Sequence, residues 1–86
     1  NYPNPASENI TIYYELLETS SVALEIFDNN AQPIKKLIPA TTQAAGEHLV
    51  VWDLSSTAGS DVASGVYFYK LAINGAIITR KIIVSR

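Results

Sequence analysis

The feature that most constrains the fold is an alternation of apolar and polar residues with a period of two. It runs through residues 10–16 and 22–26, where every second residue is aliphatic or aromatic. Clusters rich in Ser, Asn, Pro and Gly separate such runs at a spacing of roughly 8–12 residues. This pattern predicts five or six short antiparallel strands rather than helices.

The last hairpin is predicted most sharply. Asn74-Gly75 between two alternating runs is the strongest short-range signal for a type I′ turn. This turn sets Tyr67 opposite Ile82 and Tyr69 opposite Arg80. We expect one face of the hairpin to be buried, with Arg80 as its only charged residue and these apolar or aromatic residues on it: Tyr67, Tyr69, Leu71, Ile73, Ile78, Ile82 and Val84. The opposite face, expected to be partly exposed, carries Phe68, Lys70, Thr79 and Lys81.

The alternation fails around residues 34–38, where Lys35 and Lys36 are adjacent. This predicts a strand that is short, bulged or at a sheet edge. The two prolines in residues 1–5 predict a polyproline-like lead-in along a sheet edge. Turn-forming residues predict loops at residues 19–21, 28–30, 39–46 and 55–60.

Strands with one apolar face must be covered by a second sheet. We therefore predict an all-β fold, a small immunoglobulin-like antiparallel β-sandwich of about six to seven strands. The chain of 86 residues has room for one core, so residues 1–86 are expected to form a single domain. Trp52, the one tryptophan, is expected to fill that core, and its indole N–H then needs a partner. Because the chain begins at Asn1 and contains no methionine, we expect it to be a fragment of a larger protein.

Composition argues against several kinds of site. The absence of cysteine rules out disulfides and thiolate metal sites. A single histidine, His48, leaves little for a multi-histidine metal site or a nucleophile–base pair. The four glycines are scattered, so no glycine-rich loop for binding phosphate is present. A net charge of −2 does not suit a nucleic-acid interface. We therefore expect no catalytic residue, metal, cofactor, small-molecule substrate or nucleic-acid partner.

The end of the chain is both apolar and basic. Arg80, Lys81 and Arg86 are three of the six basic residues. Charge on an edge strand discourages unwanted pairing, which is one explanation. The other is recognition, because a partner can grip an extended terminal strand through its backbone and alternate side chains.

Four motifs in order along the whole chain resemble the type A C-terminal sorting domain of the type IX (Por) secretion system. They are Asn1-Tyr2-Pro3-Asn4-Pro5, Gly46-x-His48-x-Val50-x-Trp52-Asp53, the stretch VASGVYFYKL at residues 62–71, and Thr79-Arg80-Lys81. The immunoglobulin-like domain of flagellar hook-capping proteins shares much of this pattern. The family usually has a glycine after Phe27-Asp28, whereas this chain has Asn29-Asn30-Ala31, and Asn30 is expected to take the positive φ.

The resemblance implies a non-catalytic signal that directs a cargo protein through the outer membrane by way of the periplasm. The implied partners are the type IX translocon and a sortase-like peptidase that removes the domain, leaving the cargo on the cell surface or released. The residues implied in translocon recognition are Gly65, Tyr67, Tyr69, Lys81, Ile82, Ile83, Val84, Ser85 and Arg86. The residues of the structural motif are Pro3, Asn4, Pro5, Trp52, Asp53, Asn74 and Gly75.

Two other functions fit the residues less closely. A carbohydrate-binding or spacer module of an extracellular enzyme would need a row of exposed aromatic side chains. An assembly domain, like that of the hook-capping proteins, would associate with its own copies. Self-association through an open edge strand is a related expectation.

Overall fold

The computed structural model describes residues 3 and 5–86, and these residues form six antiparallel β-strands in two sheets. The strands are β1 (Ile10–Leu16), β2 (Ser20–Asp28), β3 (Pro33–Gln43), β4 (Gly46–Trp52), β5 (Gly65–Ile73) and β6 (Ala76–Val84). β1 pairs with β4, and the other sheet has the order β3-β2-β5-β6. The predicted immunoglobulin-like sandwich is confirmed. Within the same residues, no helix is long and apolar enough to cross a bilayer.

The core lies between the two sheets and follows the alternation of the sequence. Trp52 is fully buried in it, and its indole Nε1 donates a hydrogen bond to the Ser55 carbonyl at 2.9 Å. Each fully buried aliphatic side chain contributes about 1.5–3 kcal/mol through the hydrophobic effect. In β1 and β2 the inward residues are Ile10, Ile12, Tyr14, Leu16, Val22, Leu24 and Ile26.

The register of the β5–β6 hairpin is the predicted one. Tyr67 pairs with Ile82, and Tyr69 pairs with Arg80. Asn74 and Gly75 have φ values of 50° and 87°, as a type I′ turn requires.

The prediction of a fully buried inner face is wrong at one end of this hairpin. Arg80, which the prediction placed on this face, is exposed. Ile78 is 38% exposed, and Ile73 is half-buried. Both lie near the turn, and a covering sheet of two strands does not reach all of a four-stranded sheet. The start of β6 is therefore left open on both faces.

β3 lies at an edge of the four-stranded sheet, and its register with β2 shifts at three places. Of the three predicted alternatives, the bulge and the sheet edge are confirmed, whereas the strand is not short, because β3 has 11 residues. The predicted loop at residues 39–46 is also wrong, because Pro39 lies inside β3. A bulged edge strand tolerates a residue that has no N–H. At residues 19–21 the predicted loop is too long, since β2 already begins at Ser20.

The turn after β2 differs from the prediction in one position. The Asp28 carboxylate accepts the N–H groups of Asn30 and Gln32 at 2.8 and 2.9 Å. The positive φ, 63°, belongs to Ala31 and not to Asn30. A type I turn followed by a bulge residue explains this, since that geometry places the left-handed residue after the turn.

The segment before β1 contacts the end of β6. The N–H of Ala6 donates to the Ile83 carbonyl at 2.8 Å, and the N–H of Ser85 donates to the Ala6 carbonyl at 2.8 Å. Ala6 therefore forms a parallel bridge with Val84. The expected lead-in along a sheet edge covers residues 1–5, directly before this bridge, and it remains a prediction. Pro3 and Pro5 are exposed, whereas Asn4 of the predicted motif and residues 1 and 2 lie outside the described residues.

Replacing Ala31 by glycine is expected to stabilise the protein by roughly 0.5–1 kcal/mol. The left-handed conformation costs an L-residue about 1–2 kcal/mol, and the greater freedom of unfolded glycine offsets part of that gain. The measurement is the midpoint of urea denaturation at an unchanged m-value. Ala58→Gly, in another exposed turn but without a positive φ, is the matched control and should give no stabilisation. A lower midpoint for Ala31→Gly would contradict this geometry.

Candidate functional site

The C-terminal residue is docked against the loop between β4 and β5, residues 53–64. The N–H of Arg86 donates to Ser64 Oγ at 2.9 Å, and its guanidinium Nη2 donates to the Leu54 carbonyl at 3.1 Å. Nη1 lies 3.9 Å from Asp61 Oδ2, and the Arg86 side chain is 29% exposed. The terminal arginine is thus held by the protein's own loop.

The Trp52-Asp53 motif forms the turn against which Arg86 docks. The Asp53 carboxylate accepts both the N–H of Ser55, at 3.1 Å, and its hydroxyl. Leu54 is fully buried with a φ of 61°, so its backbone is held in a left-handed turn. In that turn the Leu54 carbonyl accepts hydrogen bonds from the N–H of Val62, at 2.9 Å, and from Arg86. The motif residues predicted as structural therefore also position the end of the chain.

The charge of Asp53 keeps this turn in place. The hydrogen bond from the Ser55 hydroxyl lowers the pKa of the Asp53 carboxyl, against a weaker opposing effect of desolvation. The N–H of Ser55 and the Lys35 ammonium, 3.6 Å away, lower that pKa further. Lys35 Nζ also donates to Ser55 Oγ at 2.9 Å, which ties β3 to the loop.

The two tyrosines predicted for recognition are core residues. Tyr67 is 8% exposed, its hydroxyl donates to the Ala63 carbonyl at 2.7 Å, and its ring meets Trp52 edge-on. Tyr69 is also buried. Burial raises the pKa of the Tyr69 hydroxyl, and the nearby Arg80 charge partly opposes this rise. A partner cannot contact either ring unless the core opens.

Gly65 opens β5 opposite Val84. A side chain at this position would meet no atom within 4 Å, so steric crowding does not require glycine. Its φ of 157° is rarely adopted by residues with side chains, so glycine fits the backbone at the start of β5.

The predicted recognition residues of β6, and Ser85 directly after it, fall into two groups by the direction of their side chains. Ile82 and Val84 point into the core and are almost fully buried. Lys81, Ile83 and Ser85 alternate with them and are exposed. The hairpin thus brings all nine predicted recognition residues together, but a partner at the surface can reach only some of them.

Reasoning from the sequence missed the residues that hold Arg86 and Ser85. These are Leu54, Asp61, Ser64 and Ala6. The Asp53-Leu54-Ser55 turn carries a local signal, because aspartate commonly accepts the N–H two residues on. The contact with Ala6 depends on the tertiary fold and leaves no local signal.

His48 has a packing role in the β1–β4 sheet. Its ring stacks on Tyr14 with 5.2 Å between centroids, and Nε2 lies 2.8 Å from the Ala44 carbonyl. Across the described part of the chain, no three His, Asp or Glu side chains come together in a group that could hold a metal ion.

A protein-family model described as "Secretion system C-terminal sorting domain" (Por_Secre_tail) matches residues 1–85. The chain belongs to this family. Membership indicates a C-terminal type IX secretion signal, and such a signal implies export to the cell surface or beyond it. The resemblance predicted from the four motifs is confirmed.

Solved structures are similar to the sorting domain over most of its length. Dimeric latent PorU from Porphyromonas gingivalis has a TM-score of 0.75 and 26% identity, over 96% of this chain and 9% of that chain. FlgD from P. aeruginosa has a TM-score of 0.63 and 19% identity, over 86% of this chain and 58% of that one, which shows a shared fold. The sorting domain therefore spans only part of either protein. A search of curated proteins found no match.

Arg86→Ala is expected to lower the free energy of unfolding by about 1 kcal/mol. It removes a charge-assisted hydrogen bond to the Leu54 carbonyl, and water recovers part of that loss. Urea denaturation is the measurement. The matched control is Arg80→Ala, an exposed arginine of β6 that donates to its neighbour Thr79 at 3.2 Å, and its effect should stay within about 0.5 kcal/mol. Equal stability of Arg86→Ala and the wild type would contradict the docking.

Proposed function

We propose that the type IX translocon recognises the sorting domain through the exposed side of its last strand. The observation that carries this proposal is a row of exposed residues beside the docked Arg86, namely Lys81 and Ile83 on β6 and Ser85 directly after it. The buried residues of the same strand, Ile82 and Val84, serve to anchor it. In this proposal the domain reaches the outer membrane by way of the periplasm.

Recognition through side chains is favoured over strand addition at this end of β6. Ala6 already occupies the backbone groups of Ile83 and Ser85 that a new strand would need. A partner that adds a strand there must first displace Ala6, whereas the outward side chains of β6 can be contacted in place. Lys81 stands opposite Phe68, and Ile83 stands opposite Val66, so both rest on half-buried apolar neighbours.

After translocation, a sortase-like peptidase removes the domain in this proposal, and the cargo is attached to the surface or released. The domain is then a substrate and not an enzyme. In support of this, its one histidine packs on Tyr14, and its Trp52-Asp53 motif is used to build a turn.

A carbohydrate-binding function has less support. Such a site needs several exposed aromatic rings in a row. Of the aromatic residues that the structure describes, Tyr13 is half exposed, Phe27 and Phe68 are half-buried, and Tyr14, Trp52, Tyr67 and Tyr69 are buried.

Lys81→Ala is expected to reduce secretion of a fluorescent reporter that carries an export signal and this domain at its C-terminus. A surface lysine contributes little to folding, so stability should change by less than about 0.5 kcal/mol while the secreted fraction falls severalfold. The assay compares the periplasm with the surface and medium of a type IX-competent bacterium. Lys36→Ala, an exposed lysine on the other edge strand, is the matched control and should be secreted like the wild type.

Melting curves of the purified variants must accompany the assay. Tyr67→Ala would cost roughly 3–5 kcal/mol and would mimic the loss of a signal by unfolding the domain. If Lys81→Ala is secreted as well as Lys36→Ala, recognition through the exposed row is wrong. If the intact fusion also stays in the periplasm, the secretion function itself fails for this chain.

A further inference from the structure

The outer face of the β1–β4 sheet carries an exposed apolar ridge, formed by Tyr13, Leu49 and Val51. Their exposed fractions are 51%, 68% and 59%, and Tyr13 stands directly opposite Leu49. The solvated face of an antiparallel sheet is normally polar. The ridge therefore has the apolar composition of an interface with another molecule.

A pair of like charges lies beside the ridge. Glu15 stands directly opposite Glu47, one row beyond Tyr13 and Leu49. Like charges in this position destabilise a sheet. The Tyr13 hydroxyl donates to Glu47 Oε1 at 3.3 Å, which brings no positive charge to the pair. A cationic group on a docking surface would relieve this repulsion.

The outer face of the four-stranded sheet, on the other side of the sandwich, has a groove of about 250 Å³. Its floor is formed by Ala23 and Ala72, which pair across β2 and β5, and Phe27 and Ile77 are among its other lining residues. Pockets for small molecules usually measure about 300–1,000 Å³. This groove has the size for one or two protein side chains.

A row of charged residues lies beside the groove. Glu25 pairs with Lys36 on one side and with Lys70 on the other, so the row has an excess positive charge. Lys70 Nζ lies 4.6 Å from the centre of the Phe27 ring, at the rim of the groove. The lysines would face carboxylates on a surface that fills the groove.

The two outer faces have the same spacing between apolar and charged rows. On the ridge, Glu47 lies two residues from Leu49, and at the groove, Lys70 lies two residues from Ala72. Two residues of a strand span about 7 Å. A ridge placed in a groove can therefore set the glutamate row against the lysine row.

We propose that the ridge of one copy of this chain docks into the groove of a second copy. The glutamate row of one face and the lysine row of the other are opposite in charge, and each lies beside an apolar feature. Because the faces lie on opposite sides of the sandwich, the contact is heterologous and repeats from copy to copy. Such contacts build open head-to-tail stacks rather than closed dimers. This self-association does not depend on the secretion function.

Sedimentation velocity at rising concentration tests the proposal. The average mass should rise with protein concentration up to about 1 mM, without a plateau at the dimer mass. A dissociation constant of about 1 mM corresponds to an association free energy of about −4 kcal/mol. Leu49→Glu places a charge at the centre of the ridge and should weaken association at least about fivefold. Leu17→Glu is the matched control, because Leu17 is 93% exposed in the β1–β2 turn and belongs to neither face. It should associate like the wild type.

Charge reversal gives an independent test. Glu47→Lys and Lys70→Glu should each weaken association, and an equimolar mixture of the two should restore it, because the reversed charges then face each other. Glu18→Lys, in the same turn as Leu17, controls for net charge and should have no such effect. A wild type that stays monomeric at every concentration, a plateau at the dimer mass, or a mixture no stronger than its components would each overturn the proposal.

Discussion

The hydrogen bond from the Trp52 indole to the Ser55 carbonyl is the interaction on which the C-terminal half of the fold depends. An unpaired indole N–H in the core would cost about 1–3 kcal/mol, so this partner avoids a large part of the cost of placing the tryptophan side chain between the sheets. The same turn holds the buried Leu54, whose carbonyl receives Arg86. Filling the core and docking the end of the chain are thus two results of one local arrangement.

The parts of the fold that the sequence predicted well are set by local rules. Asn74-Gly75 fixes a turn type, and the turn type fixes which residues of β5 and β6 face each other. The predictions failed where the answer depends on distant strands. Whether Ile78 is covered depends on how far the opposite sheet reaches, and whether Pro39 ends a strand depends on that strand being a bulged edge.

The candidate site shows the same division. The register set by Asn74-Gly75, together with the two-residue period of a strand, separates the inward Ile82 from the outward Lys81 and Ile83. The docking of Arg86 could not be predicted in this way, because its carbonyl partner on Leu54 lies 32 residues earlier in the chain. The resemblance to sorting domains supplied the set of residues, and the packing determines which of them a partner can touch.

The contact between Ala6 and the end of β6 joins the two ends of the domain. Any molecule that draws Ser85 away from Ala6 must also loosen the segment that leads into β1. Thermodynamic linkage makes this effect reciprocal, so a change that loosens the segment around Ala6 alters, by the same free energy, the affinity of Ser85 for any molecule that draws it away from Ala6. The conformation of the segment before β1 is therefore coupled to the accessibility of the residues at the end of β6.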